Sequence, residues 1–221
     1  MAGKLIVIEG TDGSGKSTQF SLLKERLLRE NIDFRTAVFP RYQEPSAALL
    51  KLYLSGAFGS DPESVNPYAA STFFAVDRYA SYKTEWQEYY KNGGLMLCDR
   101  YTTSNAVHQA SKLPEEKAGP FLDWLFDFEY RLLELPRPSL VFFLDMPTEN
   151  TLELLHKRQG EAGDIHEKDP EYLALCRRRA LTVCKEYGWQ RIDCVKDHAV
   201  RSAQDIHEEI YRHFAEECLM K

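Results

Sequence analysis

No apolar run in the 221 residues approaches 18, and the N-terminus lacks the hydrophobic segment of a signal peptide. No membrane partner is expected, and a cytoplasmic location is. Basic residues are not in excess: 28 Lys and Arg stand against 34 Asp and Glu, for a net charge of −6. A general nucleic-acid surface is therefore not expected. The five cysteines, Cys98, Cys176, Cys184, Cys194 and Cys218, form no C-x-x-C pair and no zinc spacing. Their odd number points to reduced thiols, and Cys98, inside an apolar run, reads as a core residue. Internal repeats, low-complexity segments and linkers are also absent. One domain spanning 1–221 is expected, large enough for a substantial core.

What is present is concentrated near the start. The apolar run from Lys4 to Glu9 leads into Gly10-Thr11-Asp12-Gly13-Ser14-Gly15-Lys16-Ser17-Thr18, and a helix-like stretch continues from Gln19 to Leu28. This is the pattern G-x-x-x-x-G-K-[ST] in the strand, loop and helix setting that its chemistry needs. Gly10 and Gly15 permit backbone conformations that a Cβ opposes, so several loop N–H groups can converge on one concavity. The helix adds unsatisfied N–H groups and the positive end of its dipole. Lys16 is expected to reach the β- and γ-phosphates of a nucleotide, and the Ser17 hydroxyl to sit on Mg2+. The bland alternative is a glycine-rich turn that happens to precede Lys-Ser.

Strand-like and helix-like stretches alternate along the rest of the chain. Strands are expected near 4–9, 34–39, 95–99, 140–145 and 189–194. Helices are expected over 46–55, 66–92, 121–134, 148–158, 169–188 and 202–218. Asn66 with Pro67 reads as a helix cap and first turn, and Gly93-Gly94 as its end. The alternation implies an α/β fold, a five-stranded parallel sheet covered by helices on both faces. In such sheets ligands gather beyond the C-terminal ends of strands. Four polar clusters fall there: the glycine-rich loop, Arg41 to Glu44, Asp99-Arg100, and the segment after Asp145.

A phosphate loop alone names no reaction. The Asn-Lys-x-Asp base-reading pattern of GTPases is missing. Phe74 and Arg78, four apart on an expected helix, share one face. They offer an aromatic platform and a planar donor fork, which suits a nucleobase; a core Phe with a snorkelling Arg is the alternative. Asp99 suits Mg2+ held through water, and Arg100 suits a phosphate, against the alternative of a surface ion pair.

These residues resemble those of the thymidylate kinases, within the nucleoside monophosphate kinases that carry a P-loop. The resemblance covers essentially the whole chain. It includes Glu9 to Gln19, Phe39-Pro40-Arg41, Phe74-x-x-x-Arg78, Asp99-Arg100-Tyr101-x-x-Ser104 with His108-Gln109, Leu135-Pro136-x-Pro138, Leu144-Asp145-x-Pro147 and Asp164-x-x-Glu167. It implies the three-layer P-loop NTPase fold, with ATP, Mg2+ and dTMP as cofactors and substrate, and a homodimer. Asp12 would contact the deoxyribose 3′-hydroxyl. Arg100, with an arginine after the second strand that Arg41 would supply, would hold the acceptor phosphate. Phe74 would stack on thymine and Arg78 would bond its O4. Ser104 and Gln109 would line the base pocket. The segment 158–168 would be a lid over ATP, with Arg158 near the phosphates.

The chain departs from the family pattern at several places. Gly13 fills a position that is basic in some members, and Ile165 replaces the lid arginine of others. Arg41 is shifted by one place from the usual arginine, and His108 stands where an aromatic residue is usual. Arg158, Lys157, Lys168 and the run Arg177-Arg178-Arg179 remain as sources of the missing cation. Arg158 is favoured, and the run reads as a mostly solvated helix face. Three rivals are carried: a broader deoxynucleoside monophosphate kinase, a deoxynucleoside kinase with Glu44 as base, and a non-catalytic nucleotide-binding regulator.

Overall fold

The computed structural model describes residues 2–59, 61–159 and 170–219, with side chains left out at 62 and 155–159. The expected lid and the side chains of Lys157, Arg158 and Lys168 therefore lie outside the described residues. Five strands form one sheet: β1 (Lys4–Gly10), β2 (Arg35–Val38), β3 (Leu95–Asp99), β4 (Leu140–Asp145) and β5 (Gln190–Asp193). Their order is β2-β3-β1-β4-β5, and every neighbouring pair is parallel.

The central strands are apolar on both faces because both faces are covered. Ile6, Ile8, Leu97, Phe142 and Leu144 point to one side, where α1 (Lys16–Arg29) and α9 (Ala203–Cys218) supply Leu23, Leu27, Ile206, Ile210 and Phe214. Leu5, Val7, Met96, Cys98 and Val141 point to the other, against Tyr82, Trp86 and Tyr101. The chain leaves β1 for β2 on one side, returns to β3, and then crosses to β4 on the opposite side of β1. That reversal opens a crevice at the C-terminal ends of β1, β3 and β4, the usual ligand position in such a sheet.

Helices over 67–81 and 102–108 border the crevice on one side. α3 (Pro67–Ser81) starts as expected, with Asn66 accepting from the Tyr68 N–H at 2.8 Å. It does not run unbroken to residue 92. A π-helical turn, Tyr82–Trp86, separates it from α4 (Gln87–Lys91). The extra residue of such a turn rotates the following face, and Trp86 is buried there, 4.7 Å from Tyr82 ring to ring. The chain enters α5 (Thr102–His108) two residues after Arg100. α6 (Glu115–Phe126) begins six residues before the expected 121, since its interior Pro120 does not stop it, and it too passes into a π-helical turn, Asp127–Leu132.

Of the remaining elements, α2 (Ala48–Leu54) follows a 3-10 turn at Pro45–Ala47, and α7 (Thr148–Gln159) and α8 (Pro170–Tyr187) match expectation. A small antiparallel hairpin, β6 (Val195–Lys196) with β7 (Ala199–Val200), was not expected. It turns on Asp197 and His198, both at positive φ. No helix of the described residues is long and apolar enough to cross a membrane.

Candidate active site

After β1 the chain turns through Gly13 and Gly15, at φ 80° and 91°, and α1 begins at Lys16. Gly10 has no room for a side chain: a Cβ there would lie 2.4 Å from Ser14 Oγ and 3.2 Å from the Leu144 carbonyl oxygen. Gly15 caps α1 without a side-chain hydrogen bond, and the first turn carries no acidic residue. The helix N-terminus is thereby left open to an anion. The Lys16 ammonium donates to the Thr11 carbonyl at 2.8 Å and stands 3.8 Å from Asp12 Oδ1. Burial lowers its pKa, the like charge of Arg100 adds to this, and Asp12, Glu9 and Asp99 oppose it.

The end of β3 delivers Asp99 and Arg100. Arg100 sits at φ 65°, uncommon for a residue with a side chain, and its N–H donates to the Ile8 carbonyl at 3.1 Å. Its Nη2 donates to Asp12 Oδ1. Its Nη1 lies 3.8 Å from Glu9 Oε1, 3.4 Å from Ser104 Oγ and 3.3 Å from His108 Nε2. A guanidinium only donates, so His108 accepts through Nε2, and its Nδ1 carries the proton that faces Cys176 Sγ at 3.5 Å. Burial works against the charge on Arg100, but Asp12, Glu9 and Asp99 outweigh it and raise the pKa. Asp99 is pushed up by burial, against the pull of Lys16 and Arg100. Glu9 is fully buried and accepts from Gly10 N–H at 3.0 Å, Thr103 Oγ1 at 2.8 Å and Ser104 Oγ at 2.7 Å.

The same cavity, about 590 Å³, reaches from the loop to α3 and α5. Phe74 and Arg78 both line it, with Ser104, Asn105, His108 and Gln109. Arg78 Nε and Nη2 donate to the two oxygens of Glu129 at 2.7 and 2.5 Å, and Nη1 lies 3.4 Å from the Tyr101 carbonyl. Burial opposes the charge of Arg78, and Glu129 outweighs it and raises the pKa. Asn105 Nδ2 faces the Ser71 carbonyl at 3.2 Å and Glu129 Oε1 at 3.5 Å. Both are acceptors, so the amide nitrogen is turned to them and Oδ1 is left over. Gln109 Oε1 is buried with no hydrogen-bond partner among the described residues. An orphaned acceptor on a cavity wall marks a place for a donor. One end of the cavity presents Lys16, Arg100 and the open N-terminus of α1, groups that suit phosphates. The other presents an aromatic ring, arginine donors and amide acceptors.

A model of the thymidylate kinase family matches residues 8–210. The chain belongs to the thymidylate kinase family. A thymidylate kinase from Mycobacterium tuberculosis is 33% identical over 172 residues, covering 76% of this chain and 79% of its own. A probable thymidylate kinase from Pyrococcus abyssi is 28% identical over 212 residues, 95% of each chain. The solved structure of a thymidylate kinase from Candida albicans, a protein described as having broad substrate specificity, superposes with a TM-score of 0.71 over 97% of this chain and 92% of its own, at 22% identity. That last likeness concerns the fold, which is the P-loop NTPase fold. As a member of the thymidylate kinase family the chain is a phosphotransferase of the nucleoside monophosphate kinase type.

Within this member of the family, the residues picked from sequence are not all gathered together. Asp12, Gly13, Gly15, Lys16, Ser17, Thr18, Asp99 and Arg100 line the cavity. Gly10, Thr11 and Ser14 support the loop from beneath and are not on its wall. Arg41 is also not on the wall. Its guanidinium is taken by Asp77 at 3.1 Å, by Ser46 at 3.0 Å and by Glu85, so the acidic residues of α3 and the turn after it hold it away. Tyr42, the next residue, lines the cavity instead.

The arginine run does not read as a solvated face. Arg177 pairs with Asp145 at 2.6 Å, and Arg179 is buried beside Glu115 at 3.0 Å, because acidic residues of β4 and α6 face α8; only Arg178 is exposed. Tyr42, Asn105 and Glu129 were missed in the sequence. Asn105 and Tyr42 adjoin chosen residues, and Glu129 interrupts an aromatic stretch, Phe126 to Tyr130, where a carboxylate is out of place.

Proposed function

We propose that this chain transfers the γ-phosphoryl group of ATP to the phosphate of dTMP, giving dTDP and ADP. One observation carries the reading: a single cavity holds Lys16 and Arg100 at one end and the Phe74, Arg78 and Asn105 corner at the other. Thymine offers an acceptor at O4 and a donor at N3. Arg78 meets the first, Asn105 Oδ1 the second, and Phe74 stacks on the ring. Asp12 takes the sugar 3′-hydroxyl, with Ser104 and Gln109 along the pocket wall. Arg100 and the Tyr42 hydroxyl hold the acceptor phosphate, the place first given to Arg41. ATP phosphates rest on the amides from Gly10 to Thr18, with Lys16 over the β- and γ-groups and Arg158 as a further cation.

Mg2+ fits this site. The Ser17 hydroxyl and Asp99 carboxylate are hard oxygen donors on the cavity wall. Mg2+ prefers one or two such groups plus phosphate oxygens and water to an all-protein cage. When bound, the ion would neutralise charge on the phosphates.

The protein's own part is to bring two anions together. A phosphate monoester has a second pKa near 6, so the acceptor is already largely a dianion at pH 7 and needs no general base. Lys16 and Arg100 offset the repulsion between the phosphates and the charge on the phosphoryl group in transfer, and alignment in one cavity supplies the rest. A deoxynucleoside kinase needs a carboxylate base; Glu44, the residue available for it, is exposed and off the cavity wall. The proposal extends to a cytoplasmic homodimer.

Purified protein with ATP and Mg2+ is offered dTMP, dUMP, dGMP, dCMP and thymidine, and ADP release is followed. The expected result is turnover with dTMP in preference to the others. Turnover of thymidine without dTMP overturns the monophosphate assignment, and tight ATP binding without any turnover supports the regulator.

A further inference from the structure

We infer that Glu129, which does not line the cavity, sets the base specificity of the acceptor site by fixing the hydrogen-bond polarity of Arg78 and Asn105. The inference rests on the reading that the Phe74, Arg78 and Asn105 corner holds the acceptor base. Glu129 is the buried residue of the π-helical turn Asp127–Leu132 and has no exposure to solvent. Its Oε2 accepts from Arg78 Nε at 2.7 Å and from Thr102 Oγ1 at 2.7 Å. Its Oε1 accepts from Arg78 Nη2 at 2.5 Å and from Asn105 Nδ2 at 3.5 Å.

An ionised carboxylate only accepts. Each of the three side chains must therefore turn a donor toward Glu129, and what remains faces elsewhere. Arg78 is gripped along one edge and keeps N–H groups for the cavity. Asn105 has a real choice, since its amide can be turned over. In the turned-over form Oδ1 would oppose both Glu129 Oε1 and the Ser71 carbonyl, two acceptor–acceptor contacts in a buried place. Glu129 and Ser71 together exclude that form. The corner thus presents a donor beside an acceptor. Thymine and uracil, with O4 beside N3–H, match this order. Cytosine, with an amino group beside a bare N3, opposes it at both positions.

A merely structural carboxylate would neutralise the buried Arg78 and do no more. The two roles differ in what they predict for Glu129→Gln, whose amide can accept at one end and donate at the other. With its NH2 toward Asn105, the turned-over amide keeps one opposed contact, at the Ser71 carbonyl, but gains a donor at position 129, so that form becomes accessible and presents a donor to the base. The kcat/KM values for dTMP, dUMP and dCMP are measured in both proteins, with the KM for ATP and the melting temperature. The expected result is a fall in the dTMP:dCMP ratio of about tenfold or more, the scale of one mispaired buried group. The dTMP:dUMP ratio is expected to stay constant, because both bases share the same polarity.

An unchanged dTMP:dCMP ratio in a folded Glu129→Gln protein overturns the inference. So does a parallel fall in both ratios, which would mean a loosened pocket. If Glu129→Gln does not fold, Thr102→Val, which removes one donor from Oε2 and leaves the carboxylate paired and accept-only, decides: a constant dTMP:dCMP ratio is expected, and a lower ratio at constant dTMP:dUMP overturns the inference, because polarity would then not be what the carboxylate fixes. Arg78→Gln and Asn105→Ala are run alongside. If neither alters the KM for dTMP, the placement of the base itself is wrong. If they do while Glu129→Gln leaves the ratio intact, only the inference about Glu129 falls.

Discussion

Gly13 brings no charge to the phosphate loop, and among the described residues the cations on the cavity wall are Lys16, Arg78 and Arg100. Arg78 is bound to Glu129 at the far end of the cavity, which leaves Lys16 and Arg100 beside the phosphate loop. The arginine run on α8 is largely occupied, Arg177 by Asp145 and Arg179 by Glu115. We take α7 as the further source proposed above: Leu154 of that helix lines the cavity, and Arg158 follows four residues later in the same helix. Arg158→Ala is expected to lower kcat by about a hundredfold or more with a small change in the KM for dTMP, the scale of a donor aimed at transition-state charge. Steady-state kinetics decide, and an unchanged kcat would shift the role to Lys157 or Lys168.

At this same scale some of the cavity wall was readable in sequence. Lys16, Ser17, Asp99 and Arg100 were, because loop chemistry and strand ends are local. Phe74 and Arg78 were, because helical spacing pairs them. Glu129 lies 51 residues from Arg78 in the chain, and only the tertiary fold brings it there. Arg41 was misplaced for the complementary reason: its partner Asp77 is 36 residues away and invisible to local reading.

Each face of α3 does something different. Phe74 and Arg78 turn inward to the cavity, while Val76 and Tyr79, on the opposite side, are 53% and 39% exposed. Leu49 and Leu52 on α2 are likewise half exposed. A helix with a substrate-facing stripe and an apolar outer stripe suits contact with a second copy. The homodimer proposed above is tested here. Sedimentation equilibrium is expected to give a dimer for the native chain and a monomer for Val76→Glu combined with Tyr79→Glu. A native monomer, or a dimer that survives both changes, would remove α3 from the interface.

Most elements were legible because caps and breakers are local: Asn66-Pro67 and Gly93 for the helix pair, Pro170 and Gly188 for α8. The exceptions have tertiary causes. The π-helical turn at Tyr82–Trp86 puts Trp86 in the core, and nothing in the local pattern demands it. Gly119-Pro120 reads as a breaker, yet α6 passes through it, with Phe121, Leu122 and Leu125 buried against the α5 side. The β6–β7 hairpin is two residues per strand, too short to show an alternation.

For the molecule as a whole, the packing of α9 on α1 links the C-terminal part of the chain to the helix that carries the phosphate loop. His207 of α9 is 1% exposed, and neither of its ring nitrogens has a hydrogen-bond partner among the described residues. Burial lowers its pKa, and the positive charge of Arg26 lowers it further. The unfolded chain then binds a proton at His207 more readily than the folded one, so stability rises with pH across this range. The cost is absent above the ordinary imidazole range near pH 6.5. It grows as pH falls below that range, and becomes constant beneath the lowered folded value.

Carboxylates titrate as well, so the useful quantity is a difference. His207→Phe keeps the volume and removes both the orphaned nitrogens and the proton site. Denaturant midpoints are measured for both proteins at pH 7.5 and pH 5.5. The phenylalanine variant is expected to gain on the native chain as pH falls, with similar slopes showing that both unfold to the same extent. Midpoints that fall in parallel would mean that His207 is charged or partnered in the folded protein and that the acid sensitivity belongs to other groups.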